Sequence, residues 1–225
     1  MPQPKNEELQ FERIVFFSDA VFAIAITLLI IEIKIPHIEH NVTEREFWLA
    51  LFHLGPKFIG FFFSFLVIGA YWTGHHRLYG HIVRWNYGLI WRNILFLMAI
   101  AFMPFSTAFL SEYIFRFAPL AVYAATFSAA GLLQLAQWRY ALKQGFVDDS
   151  EDPLLGEHIT QRLLLLPAVG IVAIIIGLIN PMFAGLAFIM IPIMMQVFKK
   201  RYARRAKEIE GGEEAPEPAE IEGEG

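Results

Sequence analysis

From Arg13 to Ile35 the chain reads RIVFFSDAVFAIAITLLIIEIKI. Between Ala20 and Ile31 the only polar residue is Thr27. The hydrocarbon core of a bilayer takes roughly 20 apolar residues per helix, and Ile14 to Ile35 meets that length. A secretory signal peptide fits this stretch poorly. It is too long, it follows acidic residues, and it lacks a small-residue cleavage site. Working outward, five further stretches have the same character: about Phe47–Thr73, Tyr87–Leu110, Phe117–Trp138, Leu163–Asn180 and Pro181–Phe198. The last two are near the lower length limit. Asn180-Pro181 between them is a turn signal, which predicts a tight helical hairpin. The expected fold is all-α, a polytopic membrane protein with six transmembrane helices.

Composition excludes the main alternatives. Of 225 residues, 56% are hydrophobic and 18% charged, and mean hydropathy is +0.47. Soluble domains carry nearer to a quarter charged residues, so this chain has too little polar surface for an intrinsically soluble fold. The net charge of −4 argues against a basic nucleic-acid binder. The absence of cysteine removes disulfides, zinc ribbons, iron–sulfur clusters and thiol nucleophiles.

Orientation follows the Lys/Arg bias. With six spans both termini share a side. That side carries 14 Lys and Arg residues, including Arg77, Arg84, Arg92, Arg139, Arg162 and the 199–207 cluster. The other side carries 4: Lys34, Arg45, Lys57 and Arg116. Both termini are therefore expected to be cytoplasmic. A five-span alternative, fusing the last two helices, would put the basic cluster outside. The basic stretch serves as a positive-inside anchor at the anionic leaflet. From Glu208 to Gly225 the chain holds eight Glu with Gly and Pro, so residues 1–207 are expected to form the six-span unit and 208–225 a disordered acidic cytoplasmic tail.

Ionisable residues within spans are costly and are functional candidates by default. Asp19 lies about one and a half turns inside the first span. It must face protein or water, either as a buried cap or ion pair or in contact with a permeant ion or proton. Trp72 and Trp91 suit interfacial belts, and Pro104 predicts a kink. His75, His76 and His81 form only a weak metal pattern, because adjacent helical residues point about 100° apart. No nucleotide loop, zinc-protease or nucleophile-elbow motif is present, and no Thr-Val-Gly-Tyr-Gly filter. Phe17, Ala20, Ile24, Thr27, Leu28 and Ile31 share one helical stripe. On pattern alone, such a stripe is compatible with plain packing as well as with a pore.

Arg13-x-x-x-Phe17-Ser18-Asp19, followed by Ala20 to Leu28, closely resembles the first-helix signature of the transmembrane protein 175 family of potassium channels. The likeness extends to Trp72-x-x-His75-x-Arg77-Leu78 and to Asn93 with Pro104-Phe105. The resemblance implies a homotetramer of the bacterial six-span type, in a bacterial inner membrane, with the first helices around a central pore. It implies a constriction at Ile24 and an ion-selectivity role for Thr27; four copies of the stripe around an axis would add rings of Leu28 and Ile31 to the constriction. It also implies a structural interhelical network of Arg13, Ser18, Asp19, Trp72, His75 and Asn93. His76 beside His75 complicates the choice of network histidine; spacing from Trp72 favours His75. The function implied is a potassium-selective leak channel with potassium ions and the lipid bilayer as partners, no metal site and no cofactor. The alternatives are a proton-coupled secondary transporter using Asp19 and His75, and an intramembrane enzyme with a His-based site.

Overall fold

Prolines, glycines and caps cut the apolar sequence into its helices. The computed structural model describes residues 5–36, 43–148 and 154–213. In order, these form α1 (Lys5–Ile31), α2 (Glu44–His53), α3 (Gly55–Gly80), α4 (Tyr87–Glu112), α5 (Phe117–Lys143), α6 (Leu155–Ile179), a 3-10 helix (Pro181–Ile189) and α7 (Met190–Glu213). Six segments among these residues are long and apolar enough to cross a membrane, the last being the 3-10 helix joined to α7. The chain is an all-α, six-span membrane protein.

The second span differs from expectation. It runs Gly55–Gly80 rather than Phe47–Thr73, because the apolar run holds two helices. Glu46 reaches back to the start of α2 and takes hydrogen bonds from the Thr43 amide (2.7 Å) and hydroxyl (2.9 Å), a capping arrangement. Those bonds hold the Glu46 carboxyl below its ordinary pKa. The cap is therefore formed at neutral pH and lost as pH falls through that lowered value. α2 stops at Leu54, and Pro56 stands in the first turn of α3, where its missing amide is harmless. The first span ends at Ile31, before Glu32. α6 begins at Leu155, earlier than Leu163, and α7 extends past Glu208 to Glu213. Residues 214–225, the rest of the acidic tail, lie outside the described residues.

The Asn180 turn forms as expected, with its side chain accepting from the Met182 amide at 3.0 Å. α5 ends in a Schellman arrangement. The Gly145 amide donates to Leu142 and the Phe146 amide to Ala141, and Gly145 takes the left-handed conformation this needs (φ 64°). The loop after α5 then pairs with the loop after α3: Val83 donates to Phe146, and Arg84 to the Gly145 carbonyl.

α5 is the central helix, packed on α4 and α6; α1 lies across α3 and α4. Of the most apolar window of α5, 61% is buried, against 22% for α1. The core between them is aromatic and aliphatic, around Ile68, Tyr71, Phe96, Ile100, Tyr123 and Phe127. Small residues set the α5–α6 spacing. A Cβ at Gly170 would collide with Ser128 Oγ and stand 2.9 Å from the Ala124 carbonyl oxygen. Because backbone cannot yield as a side-chain tip can, Gly170→Ala is expected to lower the unfolding midpoint in detergent, by an overpacking cost of about 1–3 kcal/mol. Gly69→Ala, where the new methyl meets nothing within 4 Å, is the control and should be neutral or slightly stabilising.

Candidate pore lining and the interhelical network behind it

α1 has two faces. Ser18, Phe22, Ala25 and Leu29 are buried against α3 and α4. The opposite stripe, Phe17, Ala20, Ile24, Thr27, Leu28 and Ile31, is exposed along its whole length. Ile24 is 58% exposed and Ile31 65%. Among the described residues nothing of its own chain lies against this stripe, so it faces lipid, another subunit or a conduit. Thr27 is the stripe's one hydroxyl. Its proton is taken by the Ala23 and Ile24 carbonyls (3.0 and 2.9 Å), so the oxygen's lone pairs are left for other donors or cations.

Behind the stripe, a chain of hydrogen bonds crosses three helices. Asn93 on α4 is its centre. Asn93 Nδ2 donates to Ser18 Oγ on α1 at 2.8 Å. Ser18 passes its own proton to the Ile14 carbonyl at 2.9 Å. Asn93 Oδ1 lies 3.0 Å from His75 Nε2 on α3. An amide oxygen only accepts, so His75 carries its proton on Nε2. The His75 ring is buried, stacked on Phe96 (5.6 Å, 7°) and Tyr79 (4.3 Å, 22°), with Phe22 at 5.7 Å. Its Nδ1 has no partner among the described residues.

A second tie sits beside the first. Trp72 Nε1 on α3 donates to Asp19 Oδ1 on α1 at 2.8 Å, which gives the half-buried carboxylate a charge-assisted bond. His76 is exposed and stacks on Trp72 at 5.8 Å; it is His75 that meets Asn93. The six network residues thus divide. Ser18, His75 and Asn93 form one chain and Asp19 and Trp72 one pair, while Arg13 stands apart, exposed on α1 with no hydrogen bond or ion pair among the described residues.

Sequence reasoning missed a third polar group deeper in the bundle. Thr107 Oγ1 is 2.8 Å from Ser64 Oγ, which is 3.2 Å from Tyr123 OH, linking α3, α4 and α5. Lone hydroxyls in apolar spans were the available signal, and nothing in their spacing pairs them.

These features define a six-span helical membrane protein whose first helix is tied from behind and open in front. The family model described as the endosomal/lysosomal potassium channel TMEM175 matches residues 13–104. A potassium channel of Streptomyces collinus is 33% identical over 187 residues, 81% of this chain and 85% of that protein. A potassium channel of Chamaesiphon minutus is 38% identical over 141 residues, 60% of this chain and 68% of the other. The crystal structure of a lysosomal potassium-selective channel TMEM175 homolog from the same organism superposes with a TM-score of 0.72 at 30% identity, covering 84% of this chain and 98% of that one. The chain belongs to the TMEM175 family, a family of ion channels and not of enzymes.

Proposed function

We propose that the chain is the subunit of a potassium-selective leak channel, a homotetramer in which four α1 helices surround the pore and both termini are cytoplasmic in a bacterial inner membrane. The observation that carries this reading is the exposed stripe of α1. Such a face meets either lipid or its fellows around an axis, and the family match over residues 13–104 favours the second. Rings of Ile24, Leu28 and Ile31 then form an apolar constriction, and Ile24 is the narrowest point. An apolar ring offers nothing in place of an ion's water, so the cation with the lower dehydration cost crosses more readily. That cation is potassium rather than sodium. The description of the family model and the names of the bacterial relatives support the same ion.

The proton-coupled carrier through Asp19 and His75 has no comparable support. Both residues lie off the exposed stripe, and Phe22, Tyr79 and Phe96 close the His75 ring from view. The reading is tested by reconstituting the purified protein in liposomes and measuring potassium and sodium flux side by side. Currents reversing near the potassium equilibrium potential are expected; saturable flux coupled to protons would overturn the reading.

Thr27 is proposed to tune selectivity without forming the barrier. Thr27→Val keeps the shape and removes the oxygen whose lone pairs are free. The potassium-to-sodium permeability ratio is expected to fall on the order of fivefold, equivalent to one lost polar contact of roughly 1 kcal/mol. An unchanged ratio in bi-ionic reversal potentials would place Thr27 outside the ion path.

A further inference from the structure

One cavity in the bundle has walls of two kinds. It lies between α3, α5, α6 and α7, with a volume of about 330 Å³. Its lining is mostly aliphatic, with Leu166, Ile191 and Met195 among it, yet Arg77 and Arg162 line it too. Arg77 is in the last turn of α3, and Arg162 is about two turns into α6. Both therefore belong to the end of the bundle where α3 finishes and α6 begins. Neither has an acidic partner among the described residues. Arg162 is half-buried, which sets it apart from a solvated anchor residue.

A third polar group lines the same cavity. Gln134 on α5 is fully buried. Its Nε2 donates to the Tyr71 carbonyl at 3.4 Å, while its Oε1, closed off from solvent, has no partner among the described residues. Arg77 is exposed and Arg162 half-buried, so both can meet a ligand at the cavity, and two like charges there repel in the absence of a counter-ion. One kind of ligand relieves that repulsion and fills the aliphatic walls. Guanidinium groups grip phosphate oxygens through paired N–H donors. Basic pockets between transmembrane helices at the cytoplasmic side hold anionic lipid headgroups.

We propose that this cavity is a binding site for an anionic phospholipid. The phosphodiester lies on Arg77 and Arg162, the adjoining acyl carbons on Leu166, Ile191 and Met195, and the closed-off Gln134 amide forms part of the cavity floor. The aliphatic walls favour a lipid over free phosphate, which would leave them unfilled. The inference rests on the proposed orientation, with this end of the bundle cytoplasmic, and stands apart from the choice of permeant ion.

The test uses the full chain purified in detergent and native mass spectrometry with phosphatidylglycerol, phosphatidylcholine or inorganic phosphate added. Retention of phosphatidylglycerol over phosphatidylcholine is expected. Arg162→Gln and Arg77→Gln should each weaken it by about tenfold, the loss of one charge-assisted contact. Met195→Trp, which fills the cavity without changing charge, should weaken it as well. Lys199→Gln removes the same charge from an exposed position outside the cavity and should leave retention within about twofold. Equal loss in the Lys199 and Arg162 variants would overturn the site in favour of diffuse surface charge. Inorganic phosphate bound as tightly as the lipid, and indifferent to Met195→Trp, would overturn it in favour of a soluble anion. If Arg162→Gln dissociates the oligomer while Arg77→Gln retains lipid like the wild type, the arginine serves the neighbouring subunit and the proposal fails.

Discussion

Asn93→Ala should lower the unfolding midpoint and the yield of assembled protein sharply, while the variant that does assemble still conducts. Asn93 touches both ends of the chain linking α1, α3 and α4. Its removal strands the His75 Nε2 proton in a site closed by three aromatic rings. Because Nδ1 already has no partner among the described residues, both ring nitrogens would then be unpaired. Ser18 suffers less, since it keeps its bond to the Ile14 carbonyl. A buried donor left unmade costs about 1–3 kcal/mol, and the space left by the amide adds to that, for a total of about 2–4 kcal/mol. His75→Phe supplies the second corner of a double-mutant cycle. It removes the donor and keeps an aromatic ring against Phe96, so Asn93→Ala should cost much less in that background. Thermal unfolding in detergent, read beside size-exclusion profiles, measures both. An Asn93→Ala protein with normal midpoint and assembly but lost potassium flux would place Asn93 in the ion path instead.

The six spans were legible because a bilayer imposes one requirement, length of apolar sequence, that composition alone can meet. Boundaries were less so. Counting apolar residues fused α2 to α3, although Thr43-x-x-Glu46 and Gly55-Pro56 mark a start and a stop. It also cut α6 short. Glu157 to Arg162 is polar but for Ile159, yet the helix runs through it, with Thr160 bonded to the Gly156 carbonyl and Gln161 to Glu157. The stripe on α1 was legible as a period but not as a surface, since a packed stripe and an open one have the same spacing. The network was named through the family motif. Periodicity gave no way to find that residues 18, 75 and 93 meet, because such contacts depend on how helices cross. The cavity of Arg77, Arg162 and Gln134 was invisible for the same reason: counted along the chain, both arginines are ordinary positive-inside charges.

Ile24 is where the exposed stripe makes its strongest demand. If four copies of α1 meet around an axis, the Ile24 side chain, 58% exposed in the single chain, presents only carbon to a passing ion. The barrier then depends on ring radius and polarity, since an apolar constriction conducts poorly when it dewets. Ile24→Ala widens the ring. Ile24→Asn wets it and supplies amide oxygens. Both should raise potassium conductance; for the Asn variant, lowering the barrier by about 1.4 kcal/mol would raise flux on the order of tenfold. The Asn variant should also lose selectivity, because sodium could cross with more of its water. The competing account makes Ile24 a packing residue between neighbouring helices. On that account Ile24→Asn buries an unsatisfied amide and lowers stability with no gain in current. The two accounts differ in sign, so flux per assembled channel separates them. A rise supports the constriction, and a loss of assembly without any rise in the remaining channels would remove Ile24 from the pore.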